Sequence, residues 1–167
     1  MDLTTINCWN EETAREALTR CCGSGRWVDA MIHRRPFATI EELYQGANDI
    51  WSSLNAGDWL EAFSHHPKIG GKDSLRAKFA STSNWSAGEQ AGVKAAREEV
   101  LDKLAEGNDA YEKRFGYIFI VCATGKSADE MLSLLHQRLD NDPETELHTA
   151  MREQSKITRI RLEKLLS

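Results

Sequence analysis

The chain has 167 residues, a formal net charge of −5 and 28% charged residues. This length suits one domain with an ordinary hydrophobic core, so we predict a single domain over residues 1–167. Acidic and basic residues are interspersed without a basic stripe, which argues against a nucleic-acid partner. The longest apolar run, 117–123, is far shorter than the roughly 20 residues that span a bilayer, so no membrane partner is expected.

The sequence favours an unexported protein with reduced thiols. No signal pattern of charged and then apolar residues opens the chain, and its ending, Leu165-Leu166-Ser167, is not a peroxisomal address. The four cysteines include no Cys-x-x-Cys pair and no spacing typical of a zinc site. We therefore expect a cytoplasmic protein without a metal centre.

Helical periodicity with capping signals dominates the chain and predicts an all-α, single-domain bundle of about seven to nine helices. Only three prolines are present, and each lies where a periodic segment should begin or end. In the first half the predicted helices run from the N-cap Asn10 to about Cys22, around 27–32, from the Thr39–Glu42 capping box to about Leu54, and around 58–63.

The middle of the chain is predicted to pass from a loop into helices. Residues 70–85 are rich in Gly, Ser, Thr and Lys, which is typical of a loop, with one helical turn at 75–79. Ser86 and Glu89 then form a capping box for a helix through about residue 106. This helix is expected to stop at Gly107-Asn108, and a shorter helix follows over 109–115.

The last third combines an apolar segment with two helices. Residues 117–123 are β-branched and aromatic, but a lone strand would have nothing to pair with, so we predict an extended or helical core segment. One helix is predicted from the Ser127–Glu130 capping box to about Leu139. Another should begin at Pro143 and continue almost to the C-terminus.

A histidine directly before a proline is the first candidate for chemistry. Pro67 fixes its own φ and keeps His66 out of helical backbone angles, so the pair ends a helix and orients the imidazole. Imidazole is the side chain best suited to proton transfer near neutral pH, which makes His66 a candidate catalytic residue. The alternative is that the pair only terminates a helix.

Three further polar residues are predicted to face the core. At 100° per residue, Glu89 and Gln90 project within roughly 60° of the apolar face of their helix. Arg161 lies in the apolar stripe of the last helix, where a guanidinium needs an anion or a carbonyl as partner. These groups and His66 could line one small-molecule pocket. Glu89 is equally suited to capping alone, and Arg161 to an internal ion pair.

These residues belong to an ordered set of motifs that resembles the OHCU decarboxylase family, where OHCU is 2-oxo-4-hydroxy-4-carboxy-5-ureidoimidazoline, from the oxidative breakdown of urate. The resemblance covers most of the chain. The motifs are His66-Pro67 with Ile69-Gly70, Ser86 with Glu89-Gln90, Asn108, Tyr111, 115–120, Ala123, Gly125, Glu153-Gln154, 156–158 and Arg161-Leu162.

The resemblance implies an all-helical, cofactor-free homodimer that converts OHCU to (S)-allantoin. One departure is His65, since the family commonly has a single histidine before the proline. Whether His66 or Glu89 delivers the proton to carbon stays open. The family's functional positions map to His66 and Glu89 as catalytic residues, and to Pro67, Ser86, Gln90, Ile118, Phe119, Ile120 and Arg161 as substrate-binding residues.

Two other functions fit the same residues. A helical module could bind a ureide or a purine-like ligand without transforming it. A metal-dependent hydrolase could use His65, His66 and nearby carboxylates, but adjacent histidines point in different directions and no His-Glu-x-x-His-like spacing is present. Accelerated decay of OHCU separates an enzyme from the binding module, and activity that survives a chelator excludes the hydrolase.

Overall fold

The structure is a computed structural model that describes residues 2–68, 71–79 and 90–167, with the backbone alone for 90–96. Within these ranges the regular elements are nine helices and no strand, which confirms the predicted all-α class and number of helices. The helices are α1 (Leu3–Cys8), α2 (Glu11–Cys21), α3 (Gly25–Arg34), α4 (Ile40–Ser53), α5 (Ala56–Ser64), α6 (Lys72–Phe79), α7 (Gln90–Phe115), α8 (Ala128–Leu139) and α9 (Pro143–Leu166).

The described residues form two compact units. The first comprises Met1–His66, Ile120–Cys122 and Leu147–Ser167, and the second comprises Pro67–Phe119 and Ala123–Glu146. In the first unit, α3 packs against α2, α4 and α5. In the second unit, α7 packs against α6 and α8. No helix in the described part of the chain is both long enough and apolar enough to cross a membrane.

Three buried tryptophans join the helices of the first unit. The indole N–H of Trp27 in α3 donates to the carbonyl of Ala47 in α4 at 3.0 Å. The indole of Trp51 in α4 donates to the carbonyl of Met151 in α9 at 2.9 Å, and that of Trp59 in α5 donates to the Trp51 carbonyl at 3.0 Å. Each ring buries a large apolar area while its polar atom remains hydrogen-bonded. These contacts fix α4, α5 and α9 together.

The inner face of α9 follows a four-residue repeat. Ala150, Gln154, Thr158 and Leu162 are all nearly or fully buried, so two polar side chains alternate with apolar ones along this face. The predicted apolar stripe is therefore narrower than the sequence indicated, since the side chains on either side of it are only half-buried. These half-buried residues are Leu147, Met151, Ile157, Arg161 and Leu165.

Most predicted helix boundaries are confirmed through their caps. Asn10, Thr39 and Ser127 each accept a hydrogen bond from the backbone three residues later, and Ser127 with Glu130 forms the predicted capping box. The box at Thr39 is incomplete, because the Glu42 carboxylate accepts from the N–H of Ala38 at 2.7 Å instead. α3, α5 and α6 are longer than predicted, and α1 was not predicted at all.

The predicted stop at Gly107-Asn108 is wrong, because α7 continues without interruption to Phe115. Gly107 is buried against α8, where an added Cβ would lie 2.5 Å from Cδ2 of Leu135. The glycine therefore allows the two helices to approach closely and does not end α7. Its cost in helix propensity is about 1 kcal/mol.

We expect Gly107→Ala to lower the free energy of unfolding by about 1–2 kcal/mol, because overpacking against the fully buried Leu135 outweighs the gain in helix propensity. Urea unfolding followed by circular dichroism measures this change. In a Leu135→Ala background the same substitution should stabilise the protein. Equal destabilisation in both backgrounds would contradict the close packing of α7 on α8.

Residues 117–123 form neither helix nor strand. Of the two predicted alternatives, an extended or a helical core segment, the helical one is therefore wrong. Ile120 and Cys122 are buried, as expected for a core segment. The Cys122 N–H donates to Oε2 of Glu153 in α9 at 2.8 Å. This bond ties the irregular segment of the first unit to the helix that carries Gln154 and Arg161.

Candidate active site

His66 lies just beyond the end of α5. His65 is the C-cap of that helix, and the N–H groups of His65 and His66 still donate to the carbonyls of Ala62 and Phe63 at 3.2 Å. Pro67 follows, lacks an N–H and prevents further helix. The sequence therefore ends the helix next to His66. The His66 side chain is half-buried, and Pro67 is exposed.

The two adjacent histidines point in different directions. The ring of His65 packs against Gly23, where an added Cβ would lie 2.5 Å from both Cβ and Cγ of His65. His66 instead reaches α9, where its side chain contacts Gln154 and Arg161. Of the two histidines, it is His66, the predicted catalytic residue, whose imidazole lies among polar side chains of another helix.

Gln154 is the first hydrogen-bond partner of His66. Nε2 of His66 meets Oε1 of Gln154, and a carbonyl oxygen can only accept, so Nε2 carries the proton. The other end of the amide, Nε2 of Gln154, donates to Oγ1 of Thr158 at 3.1 Å. The neutral ring therefore has its lone pair on Nδ1.

Arg161 faces that lone pair. Its Nη2 lies 3.5 Å from Nδ1 of His66, a long contact in which the guanidinium can only be the donor. Its Nη1 donates to the carbonyls of Arg20 and Cys21, at 3.4 and 3.3 Å, at the end of α2. The carbonyls of a helix C-terminus favour a cation. Among the described side chains no carboxylate forms an ion pair with Arg161, so its partners there are carbonyls and the imidazole.

These surroundings lower the pKa of His66. Burial is the main cause because it disfavours the imidazolium, and the Arg161 and His65 side chains lower the pKa further. The hydrogen bond to Gln154 acts in the opposite direction but is smaller than the effect of burial. His66 is therefore neutral at pH 7, with an accepting nitrogen beside a fixed cation. Such a pair can take a proton from a substrate hydroxyl while the guanidinium binds an adjacent oxygen.

The lowered pKa of His66 predicts a loss of stability in mild acid. Well above the ordinary histidine pKa of about 6.5 the ring is neutral in both folded and unfolded chains. As the pH falls below 6.5 the unfolded chain binds the proton first, so the free energy of unfolding decreases until the folded ring also titrates. Urea unfolding from pH 8 to pH 5 should show a steeper decrease for the wild type than for His66→Asn. The exposed His136→Asn variant is the control, and identical pH dependence in wild type and His66→Asn would contradict the assignment.

The remaining predicted site residues are placed only in part. Ser86 and Glu89 lie outside the described residues, and for Gln90 the structure gives the backbone position at the start of the described part of α7. Ile118 and Phe119 are half-buried, and Ile120 is 2% exposed. The Phe119 ring lies 4.6 Å from the Arg138 guanidinium, which gives this side chain a packing role within the second unit.

Gln154 and Thr158 are site residues that the sequence analysis did not assign. The available signal is weak: Gln154 belongs to one of the family motifs, and Thr158 follows four residues later, on the same face of the helix. Both side chains are buried, and hydrogen bonds connect them to His66.

Arg161 also borders an open cavity of about 600 Å³ in the first unit. Two further cationic side chains, Arg20 and Lys164, line it together with His65, and its lining includes no carboxylate. His66 is not among the lining residues. In the described ranges no three His, Cys, Asp or Glu side chains are grouped as ligands of a metal ion would be.

A comparison of the sequence with protein families identifies the family of the chain. A model described as OHCU decarboxylase matches residues 7–163. The chain belongs to the OHCU decarboxylase family.

Curated relatives of this OHCU decarboxylase family member differ in length. The Arabidopsis thaliana uric acid degradation bifunctional protein TTL is 43% identical over 151 residues, which cover 88% of this chain but 45% of the relative. The 2-oxo-4-hydroxy-4-carboxy-5-ureidoimidazoline decarboxylase of Xenopus laevis is 28% identical over 163 residues, which cover 97% of this chain and 93% of the relative. The chain thus spans less than half of the plant protein and nearly all of the frog enzyme.

A solved structure of the OHCU decarboxylase family is also similar. The crystal structure of OHCU decarboxylase in the presence of (S)-allantoin matches with a TM-score of 0.71 and 37% sequence identity. The match covers 95% of this chain and 99% of the other.

Proposed function

We propose that this chain is a carboxy-lyase that converts OHCU to (S)-allantoin in the breakdown of urate. Membership of the OHCU decarboxylase family supports the reaction. The structural observation that carries the proposal is the contact of Nδ1 of His66, the accepting nitrogen of the ring, with Nη2 of Arg161 at 3.5 Å. A proton acceptor beside a cation suits a substrate that carries a hydroxyl and a carboxylate on one carbon.

The substrate supplies its own electron sink. When the bond to the carboxylate breaks, the electron pair forms a double bond to the adjacent ring carbon, and the electrons of that carbon's C=N bond move to nitrogen, which takes up a proton. The hydroxyl then loses its proton to become a carbonyl, and the adjacent carbon gains one. Carbon dioxide leaves and a proton takes its place, so no pyridoxal or thiamine group is required.

In this mechanism Nδ1 of His66 takes the proton of the substrate hydroxyl. Arg161 binds a ring or ureido carbonyl or the carboxylate, and it stabilises the charge that moves into the ring. Glu89 orients or recharges the imidazole, and one of these two residues protonates carbon on a single face, so that one enantiomer of allantoin forms.

The other assigned residues hold the substrate in place. Gln90 docks its amide edges, Ser86 caps its helix and donates a hydrogen bond, and Pro67 fixes the position of the imidazole. The backbone of Ile118, Phe119 and Ile120 pairs with the ureido arm. These roles rest on the family resemblance.

The proposal extends to the state of the protein in the cell. The chain acts as one decarboxylase domain over 1–167, as a homodimer in the cytoplasm, with a small molecule and neither nucleic acid nor membrane as its partner. It works without a cofactor or a metal. Size-exclusion chromatography with light scattering tests the dimer.

One experiment separates catalysis from the alternative of a binding module. Freshly generated OHCU is mixed with the protein, and its decay is followed by ultraviolet absorbance and circular dichroism, with a parallel sample that contains a chelator. The proposal expects faster decay, an optically active allantoin product and no effect of the chelator. Binding without accelerated decay would support the module, and inhibition by the chelator would support a metal-dependent enzyme.

A further inference from the structure

We propose that Gln154 is a positioning residue that holds His66 in the Nε2–H tautomer and thereby leaves Nδ1 as the accepting nitrogen beside Arg161. The tautomer itself is a property of the ligand-free protein. Its use in catalysis rests on the proposed function. Gln154 does not need to touch the substrate for this role, because it acts through the imidazole.

The first step of the argument concerns the orientation of the amide. Gln154 is fully buried, so both ends of its side chain need hydrogen-bond partners in the interior. Its amide nitrogen donates to Oγ1 of Thr158, and its carbonyl oxygen faces Nε2 of His66. The hydrogen bonds therefore run from the imidazole to the amide and from the amide to the hydroxyl.

The opposite orientation is disfavoured at the imidazole. With the amide rotated, its nitrogen would donate to Nε2 of His66, and the ring proton would move to Nδ1, where it would face Nη2 of Arg161 at 3.5 Å. Two donors would then oppose each other beside a positive charge. The Arg161 guanidinium thus favours the observed orientation of Gln154.

The consequence for the reaction is a base with a defined direction. Nε2 is occupied inside the protein, so only Nδ1 can exchange a proton with a bound substrate. Setting the tautomer through a second group is how positioned histidines act in proton transfer. A glutamine sets the tautomer without a negative charge. A carboxylate in its place would raise the pKa of the imidazole and keep the ring protonated at neutral pH.

Nitrogen NMR of the ligand-free protein tests the tautomer directly. Protein labelled with ¹⁵N-histidine is measured at pH 8 by two-bond ¹H–¹⁵N correlation, with the His66→Asn spectrum to assign the ring. The proposal expects the proton on Nε2 in the wild type. In Gln154→Met both tautomers should appear, and in Thr158→Val, where the amide loses its hydrogen-bond partner, the second tautomer should appear in part. The exposed Gln137→Met on α8 is the matched control.

The outcomes separate this proposal from the proposed function. A proton on Nδ1 in the wild type, or a His66 spectrum unchanged in whichever of the two variants folds, would overturn the role of Gln154. Turnover of OHCU plays no part in that measurement. If the tautomer is as expected and no turnover is found, the proposed function fails and the positioning role stands as a structural property.

Kinetics provide a second readout that a purely structural role would not change. Gln154→Met should lower kcat by about 10-fold with little change in KM, as loss of an orienting partner does. Gln154→Glu keeps an acceptor for Nε2 but adds a negative charge, so it should raise the pKa of His66 and move the acid limb of the kcat/KM profile to higher pH. An unshifted acid limb in an active Gln154→Glu variant would contradict the proposal.

Discussion

Replacing His66 with alanine is expected to lower the turnover of OHCU by about 100-fold or more, the size typical of lost proton-transfer catalysis. The half-buried ring contacts Gln154 and Arg161 of α9, so its removal leaves the buried carbonyl oxygen of Gln154 without this hydrogen bond. The far-ultraviolet circular dichroism spectrum should stay close to that of the wild type, and the melting temperature should decrease by several degrees. Stopped assays with freshly generated OHCU measure the rate.

His65→Ala is the matched control for this experiment. His65 is the neighbouring residue, but its ring packs against Gly23 and does not reach α9. The control should keep turnover close to the wild-type value while it loses some stability. Retained activity in a folded His66→Ala variant would remove His66 from the mechanism, and equal losses in both variants would indicate that the end of α5 matters only as structure.

The second large effect is expected for Arg161→Met. Removing the guanidinium takes away the cation beside Nδ1 of His66, so kcat/KM should decrease by about 100-fold. The same change removes a charge that lowers the pKa of His66, so the acid limb of the kcat/KM profile should move to higher pH. The profile is measured between pH 5 and pH 9 on the folded variant.

Arg159→Met serves as the control on the same helix. Arg159 stacks over the Tyr44 ring and pairs with Glu163 on an exposed face of α9. Its loss should change neither the acid limb nor kcat/KM appreciably. If Arg161→Met leaves the acid limb of the kcat/KM profile unshifted, the guanidinium does not act on His66. Any loss of stability would then come from its lost hydrogen bonds to the end of α2.

The sequence predicts the helices best where the cause is local. Asn10, Thr39, Ser127 and Pro143 each begin a helix through contacts within four residues, and such contacts can be recognised from spacing alone. Gly107 illustrates the limit. Its residue type indicates a helix end, but its function depends on Leu135 of another helix, which no local pattern reveals.

In the candidate site, too, local features can be predicted from the sequence and contacts between distant residues cannot. The sequence shows that a proline follows His66 and that Arg161 lies on the inner side of the last helix. The structure brings the side chains of His66 and Arg161 together. Gln154 was not predicted as a site residue, because its role depends on a hydrogen bond with His66, which is 88 residues away in the chain. Ser86 and Glu89 lie outside the described residues, so their roles stay predictions from the family resemblance.

The two ends of the Arg161 guanidinium have different tasks. One nitrogen is held by the final carbonyls of α2, and the other is thereby presented next to the imidazole. The side chain has these partners before any ligand arrives, which reduces the rotamer entropy lost when an oxyanion docks there. In the proposed function, part of the affinity for the substrate therefore depends on the end of α2, and loosening that helix is expected to weaken binding even with every contacting residue intact.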